Sequence, residues 1–154
     1  MDKLLPKFRQ DFPDITFRIG SVFSWSPKDK VITYVERTTD DKAIWSIIHE
    51  ISHAQLHHTT YTYDIELLQL EVAAWQYAVP LAQSYGYTID NDHIQDCLDT
   101  YREWLHKRST CPTCTVHSLQ KTSDSYSCFN CGATWKVTHT NFCRPYRRLM
   151  TTTY

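Results

Sequence analysis

The residues best equipped for chemistry are His49-Glu50-Ile51-Ser52-His53, two histidines four apart with a carboxylate directly after the first. On a helix, residues at i and i+4 share a face, with Cβ atoms about 5–6 Å apart. Two imidazoles so placed can each bring a nitrogen to about 2.0–2.1 Å from one Zn2+. Glu50 then reaches a metal-bound water without ligating the metal. Zinc brings the pKa of such a water towards about 7, so a carboxylate can take its proton as the oxygen attacks a polarised carbonyl. The spacing predicts His49 and His53 as ligands and Glu50 as the general base.

A catalytic zinc takes a third protein ligand and keeps one position open. Downstream, His57, His58, Asp64, Glu66 and Glu71 are available. His57 falls one turn further along the same helix, and a straight helix does not wrap three ligands round one ion. His57 and His58 therefore read as exposed polar residues, or as loop residues lining the cleft. Glu71 lies within Leu70-Glu71-Val72-Ala73-Ala74-Trp75, where a carboxylate needs a strong partner to stay ionised. A cation is such a partner. Glu66 is the reserve, near a helix start where a solvated role is ordinary. The oxyanion needs a donor beyond the metal; Tyr61, Tyr63, His93 and Tyr101 all have suitable chemistry, and the sequence singles out none of them.

A second constellation is Cys111-Pro112-Thr113-Cys114 with Cys128-Phe129-Asn130-Cys131-Gly132. Two C-x2-C turns let four thiolates converge on a tetrahedral structural zinc with Zn–S about 2.3 Å. Gly132 suits the tight turn after the second pair. Tyr126, Trp135 and Val137 can form the small sheet behind a zinc-ribbon. Disulfides are disfavoured in a chain without an export signal, and a thioredoxin-like dithiol would need a βαβ context. Cys143 is a substitute ligand or a free thiol, and Cys97 reads as a buried thiol on a helix. His117 and His139 are not needed as ligands while four cysteines are present.

The elements that must position these groups can be placed from periodicity. Residues 2–9 can form a short helix. Residues 15–19, 22–25 and 31–36 read as strands about the Ser26-Pro27-Lys28-Asp29 turn, so the opening third is expected to be a small antiparallel sheet. Thr39, Asp40 or Asp41 can cap a helix in which Ile44, Ile47, Ile48 and Ile51 fall at i, i+3, i+4 and i+7, running to about Leu56. A second helix is expected over residues 64–85, with Pro80 inside it and Gly86 as its stop. A third begins near Asn91 and runs through Ile94, Leu98, Tyr101 and Leu105. The expectation is an α+β fold: a small antiparallel sheet and three main helices forming a minimal zincin-like core over residues 1–108. A four-cysteine zinc-ribbon with a basic tail follows over 109–154.

With 154 residues, 42% hydrophobic and 14% aromatic, the chain has enough apolar surface for a packed core and is not disordered. No run approaches about 18 consecutive apolar residues, so no membrane span is expected. The opening MDKLLPKFRQDFPD is charged throughout, so no export signal is expected and the protein should be cytoplasmic. The net charge of -1 is a sum of unlike parts. Residues 1–100 carry eight basic and fifteen acidic residues, and residues 101–154 carry eight and two. The basic end includes Arg102, Lys107, Arg108, Lys121, Lys136, Arg144, Arg147 and Arg148. It can meet nucleic-acid phosphates or balance the acidic body.

His49-Glu50-Ile51-Ser52-His53 followed by Glu71-Val72-Ala73-Ala74-Trp75-Gln76-Tyr77-Ala78 resembles the gluzincin branch of zinc metallopeptidases. It is most similar to the ImmA/IrrE family, whose second helix reads Glu-x-x-Ala followed by an aromatic–Ala pair. The resemblance covers roughly residues 15–85. It implies His49, His53 and Glu71 as zinc ligands with Glu50 as base. Ser52 stands where that family usually has Gly, and Ala78-Val79-Pro80 only echoes its Leu-Met-Pro. The order of HExxH core and C-terminal ribbon instead resembles SprT-like proteases. Their third ligand is typically a downstream His, and none lies between Thr59 and Asp92.

These readings converge on an intracellular endopeptidase with one catalytic and one structural Zn2+. It would act on a protein substrate, with DNA or a DNA-bound protein reached through the basic end. The alternative is a nucleic-acid-binding ribbon protein whose zincin core is regulatory or inactive, or a SprT-like protease of DNA-associated proteins.

Overall fold

The computed structural model describes residues 4–36, 40–138 and 147–150. Cys143, His139, Arg144 and the cap candidate Thr39 lie outside the described residues. The chain forms two compact units, residues 1–60 with 70–94, and residues 61–69 with 95–154. Among the described residues, no helix is long and apolar enough to cross a membrane.

The first unit opens with α1 (Leu5–Asp11), which carries its proline in the first turn, where no amide hydrogen is needed. Fully buried Phe8 packs against the rings of Phe17 and Tyr85. Three strands follow, β1 (Thr16–Gly20), β2 (Ser24–Ser26) and β3 (Val31–Val35), in the order β1-β3-β2. β2 and β3 form the expected antiparallel pair, with Trp25 opposite Ile32. β1 instead runs parallel to β3, from Thr16↔Val31 to Gly20↔Val35. The sheet is therefore mixed rather than wholly antiparallel. The reason is the short link over 21–23, which carries the chain past the end of β3's position before β3 returns between its neighbours. Four Cα steps reach about 13 Å or more, enough for two strand spacings of about 4.8 Å each.

Gly20 is required by that pairing. A Cβ at this position would lie 2.2 Å from Thr33 Cγ2 on β3. Gly20→Ala should lower stability by about 1–3 kcal/mol. Adding Thr33→Ser, which removes the obstructing methyl, should restore most of it. Thermal unfolding of the single and double variants measures both effects; a Gly20→Ala protein melting with the parent would contradict this register.

Helix α2 (Asp41–Gln55) is capped by Asp40, whose side chain accepts from the Lys42 amide at 3.0 Å. Its buried stripe is Ile44, Ile47, Ile48, Ile51 and Ala54. Ser52, fully buried, turns its hydroxyl back to the Ile48 carbonyl at 2.8 Å, so a polar residue sits in the core without an unpaired donor. The helix ends in a Schellman arrangement. The His57 amide bonds to Ala54 O at 3.1 Å, the His58 amide bonds to His53 O at 3.0 Å, and His57 takes φ 54°. Helix α3 (Asp64–Ser84) runs through Pro80 and stops before Gly86, whose φ is 83°. Ala74, Ala78 and Ala82, one per turn, are fully buried, with Trp75 beside them.

In the second unit, the end of α4 (Asn91–Ser109) leads into a four-stranded antiparallel sheet. Its strands are β4 (Leu119–Thr122), β5 (Ser125–Ser127), β6 (Thr134–Val137) and β7 (Arg147–Leu149), in that order. Tyr126 and Trp135 face one another across β5 and β6 with rings stacked at 5.6 Å. Together with Cys111, Cys128 and Val137 they form the buried cluster of this unit. The fold is thus α+β, with a ribbon-like cysteine module as the sequence predicts.

A buried polar knot holds this unit. Asp64 accepts from Arg108 Nε at 2.5 Å, Arg108 Nη2 at 3.1 Å and Tyr126 Oη at 2.5 Å. Arg108 also donates to the Thr138 carbonyl and lies 4.5 Å from the centroid of the Trp104 ring. Burial and the Asp64 carboxylate both push the Tyr126 phenol up, so it stays a donor.

Candidate metal centres

The first centre is assembled from two helices of the first unit. Helix α2 presents His49 and His53 one turn apart, and α3 brings Glu71 to them from 22 residues beyond His49. His53 Nε2 is 3.0 Å from His49 Nε2; Glu71 Oε2 is 3.1 Å from His49 Nε2 and 3.6 Å from His53 Nε2. His49 and Glu71 are buried. These three atoms form a compact triangle that could hold a metal ion.

The electrostatics agree with that arrangement. Burial pushes His49 down, more than Glu71 pulls it up, so its ring is neutral and offers a lone pair. Burial alone would raise the Glu71 carboxyl, but its hydrogen bonds and charge interactions with His49 and His53 hold it at about 2. Glu50, on the same helix, is pushed up to about 7 by burial, with the Glu71 charge adding to the effect. The His53 ring and the Trp25 backbone amide pull in the other direction. A carboxylate near neutrality beside these three donors is suited to proton transfer.

Glu66 is not part of the triangle. Its Oε2 accepts from the Thr62 and Tyr63 amides at 2.7 and 3.0 Å, which lowers its pKa and ties it to the start of α3. Asp64 is engaged by Arg108 and Tyr126. Of the oxyanion candidates, Tyr61, Tyr63 and Tyr101 fall in the second unit. His93 stands against the rings of Trp45 and Trp75 at 5.1 and 5.7 Å, and its charge also pushes His49 down.

His58 is the residue whose role the sequence did not reveal. Its Nδ1 lies 2.9 Å from His53 Nδ1, on the side of that ring away from the triangle. Burial and the neighbouring His53 push its pKa down. A cavity of about 280 Å3 opens beside it, lined in part by Ile15, Trp25, Pro27, Ala54 and Gln55. The sequence offered no signal because this helix end usually carries glycine at the left-handed position. His57 occupies it here.

The second centre brings Cys111, Cys114, Cys128 and Cys131 together in the second unit. Cys111 Sγ is 3.6 Å from Cys131 Sγ, and Cys114 Sγ is 3.5 Å from Cys128 Sγ. The Thr113 amide points at Cys111 Sγ at 3.4 Å. Gly132 takes φ 73°, a conformation open to it without steric cost. The Ser118 hydroxyl and the Cys131 amide draw Cys128 down to about 6. The Ala133 amide favours a Cys131 thiolate, but burial and the three neighbouring sulfurs outweigh it and push that thiol up to about 12. The four cannot all ionise at neutral pH unless a cation sits among them.

The fold also redraws the charge. Counted by compact unit rather than by sequence half, the second unit holds eight basic and six acidic residues, a net of +2. Arg102 pairs with Asp99 at 2.7 Å, Lys107 with Glu103 at 2.9 Å, Lys136 with Asp124 at 3.1 Å, and Arg108 with Asp64. Half of the basic residues that suggested nucleic acid therefore already have carboxylate partners. Arg147 donates to the Thr110 carbonyl at 2.6 Å.

No family model, curated protein or solved structure matches the chain. What the protein does must follow from the chemistry of its own residues.

Proposed function

We propose that this chain is a zinc-dependent peptidase, with a catalytic zinc at His49, His53 and Glu71 and a structural zinc at the four cysteines. The observation that carries this is the meeting of Glu71 with His49 and His53, beside a half-buried Glu50. The donor sets fit the ion. Ligand distances of about 2.0–2.1 Å imply donors about 3.3 Å apart in a tetrahedral site, and Zn–S of about 2.3 Å implies sulfurs about 3.8 Å apart. The first triangle spans 3.0–3.6 Å, and two sulfur pairs stand at 3.5 and 3.6 Å.

Zinc supplies there a Lewis acid that polarises a peptide carbonyl and acidifies water to near neutrality. The chain's own residues do the rest. His49 and His53 each present a ring nitrogen, and Glu71 adds one negative charge against a divalent ion. Glu50 takes the proton of the attacking water and delivers it to the departing amine, so the C–N bond breaks as a C–O bond forms. Strand β2 is an edge of its sheet, and an extended peptide can add to such an edge.

Two zinc per parent chain and one per His53→Ala chain are expected from metal analysis. The zinc-loaded protein should cleave unfolded protein substrates, and a chelator should abolish the cleavage. A parent chain that held both ions and cleaved none of a broad substrate panel would contradict the reading.

A further inference from the structure

We infer that His58 is a positioning residue for the metal ligand His53, accepting the Nδ1 proton of that ring and thereby aiming Nε2 at the metal. The inference rests on the reading that His49, His53 and Glu71 hold a metal.

The two nitrogens of an imidazole diverge, so a group bonded to Nδ1 cannot share an ion held by Nε2. His58 meets His53 at Nδ1, at 2.9 Å, while His53 Nε2 faces His49 and Glu71. His58 is therefore a hydrogen-bond partner of a ligand and not a fourth ligand. When Nε2 gives its lone pair to a metal, the ring's proton must be on Nδ1, and a buried N–H needs an acceptor. His58 Nδ1, 2.9 Å away, is placed to be that acceptor, with its own proton on Nε2. Ligating histidines generally have such an outer partner, which fixes ring orientation and tautomer.

The backbone shows that this placement is built in. The His58 amide is tied to His53 O at 3.0 Å, and its carbonyl accepts from Trp25 Nε1 at 3.1 Å. The preceding His57 holds φ 54°, a left-handed conformation unfavourable to a residue with a Cβ. The last turn of α2 thus carries the ligand, the Schellman turn that ends it carries the group that orients it, and β2 clamps the second through Trp25.

The test is metal binding, not turnover. Metal-free parent, His53→Ala, His58→Phe and His58→Asn chains are titrated with Zn2+ against a competing chelator, and with Co2+ to record ligand-field absorption. His53→Ala defines which binding event belongs to this centre. Asn places an acceptor oxygen near the position of the lost Nδ1; Phe keeps the ring and removes the acceptor. His58→Phe should weaken binding at this centre about 10–100-fold and change its Co2+ spectrum, while the cysteine centre is unaffected. His58→Asn should recover most of that loss. A Phe variant binding within about threefold of the parent, with an unchanged spectrum, overturns the inference alone, because outer partners normally contribute more than this. An Asn variant as weak as the Phe variant does the same. A parent that binds no more metal than His53→Ala overturns both this inference and the proposed function.

Discussion

Glu50→Gln should retain both metal ions and lose about 10²–10⁴-fold in kcat/KM for peptide hydrolysis. Gln has nearly the same shape, so the packing of α2 is unchanged, but it cannot accept the proton of the attacking water. The size of the effect follows from the position of Glu50. Burial raises its carboxyl above the usual range, and the expected loss is that of one general base. None of the ligand atoms belongs to Glu50, which separates its loss from metal loss. Parallel metal analysis and peptidase assays on Glu50→Gln and His53→Ala therefore give different signatures: full metal and no turnover for the first, lost metal and no turnover for the second. A Glu50→Gln protein as active as the parent would remove Glu50 from the chemistry.

The largest effect on stability is expected in the second unit, at Asp64. Asp64→Ala should destabilise that unit by about 3–5 kcal/mol, because Arg108 would remain buried without its counter-charge. Arg108 and Asp64 are each 1% exposed, so solvent cannot replace the lost partner. Tyr126 would lose its acceptor as well, leaving a buried hydroxyl unpaired. Thermal unfolding of the metal-loaded chain reads the change. For a unit of this size, a loss of that order lowers the midpoint by at least about 12 °C. The triple change Asp64→Leu, Arg108→Met, Tyr126→Phe removes all three polar groups together and should recover much of the loss. A shift of only a degree or two in Asp64→Ala would mean that Arg108 is compensated elsewhere.

The sequence made some of this legible and hid the rest, for physical reasons. His49 and His53 were readable because helical spacing alone puts them on one face. Glu71 was readable because a carboxylate among Leu70, Val72, Ala73 and Ala74 calls for a cation. The cysteine centre was readable from two local turns, and its ribbon from the pairing of Tyr126 with Trp135. Strand pairing was harder. The alternation over residues 15–19 reports which side chains share a face, but not which strand lies alongside, so the parallel β1–β3 pairing was not visible. Nor was the Asp64–Arg108–Tyr126 knot, whose members are 44 and 62 residues apart. It absorbs one of the cations that a count along the chain assigns to a basic surface. His58 could be read as a loop residue lining a cleft, and it does line one, but its contact with His53 Nδ1 depends on the left-handed turn at His57, which helical periodicity does not report.

The stacking of Trp75 on His49 has an optical consequence. The two rings lie 4.2 Å apart at 30°, and the indole is 4% exposed. The indole is thus shielded from solvent and lies against an imidazole whose Nε2 faces Glu71 and His53. Whatever changes the charge on that nitrogen, a proton or an ion, changes the field felt by the fluorophore. If His49 holds a metal as proposed, loading of the first unit should register in the emission of Trp75, with no substrate needed to read it.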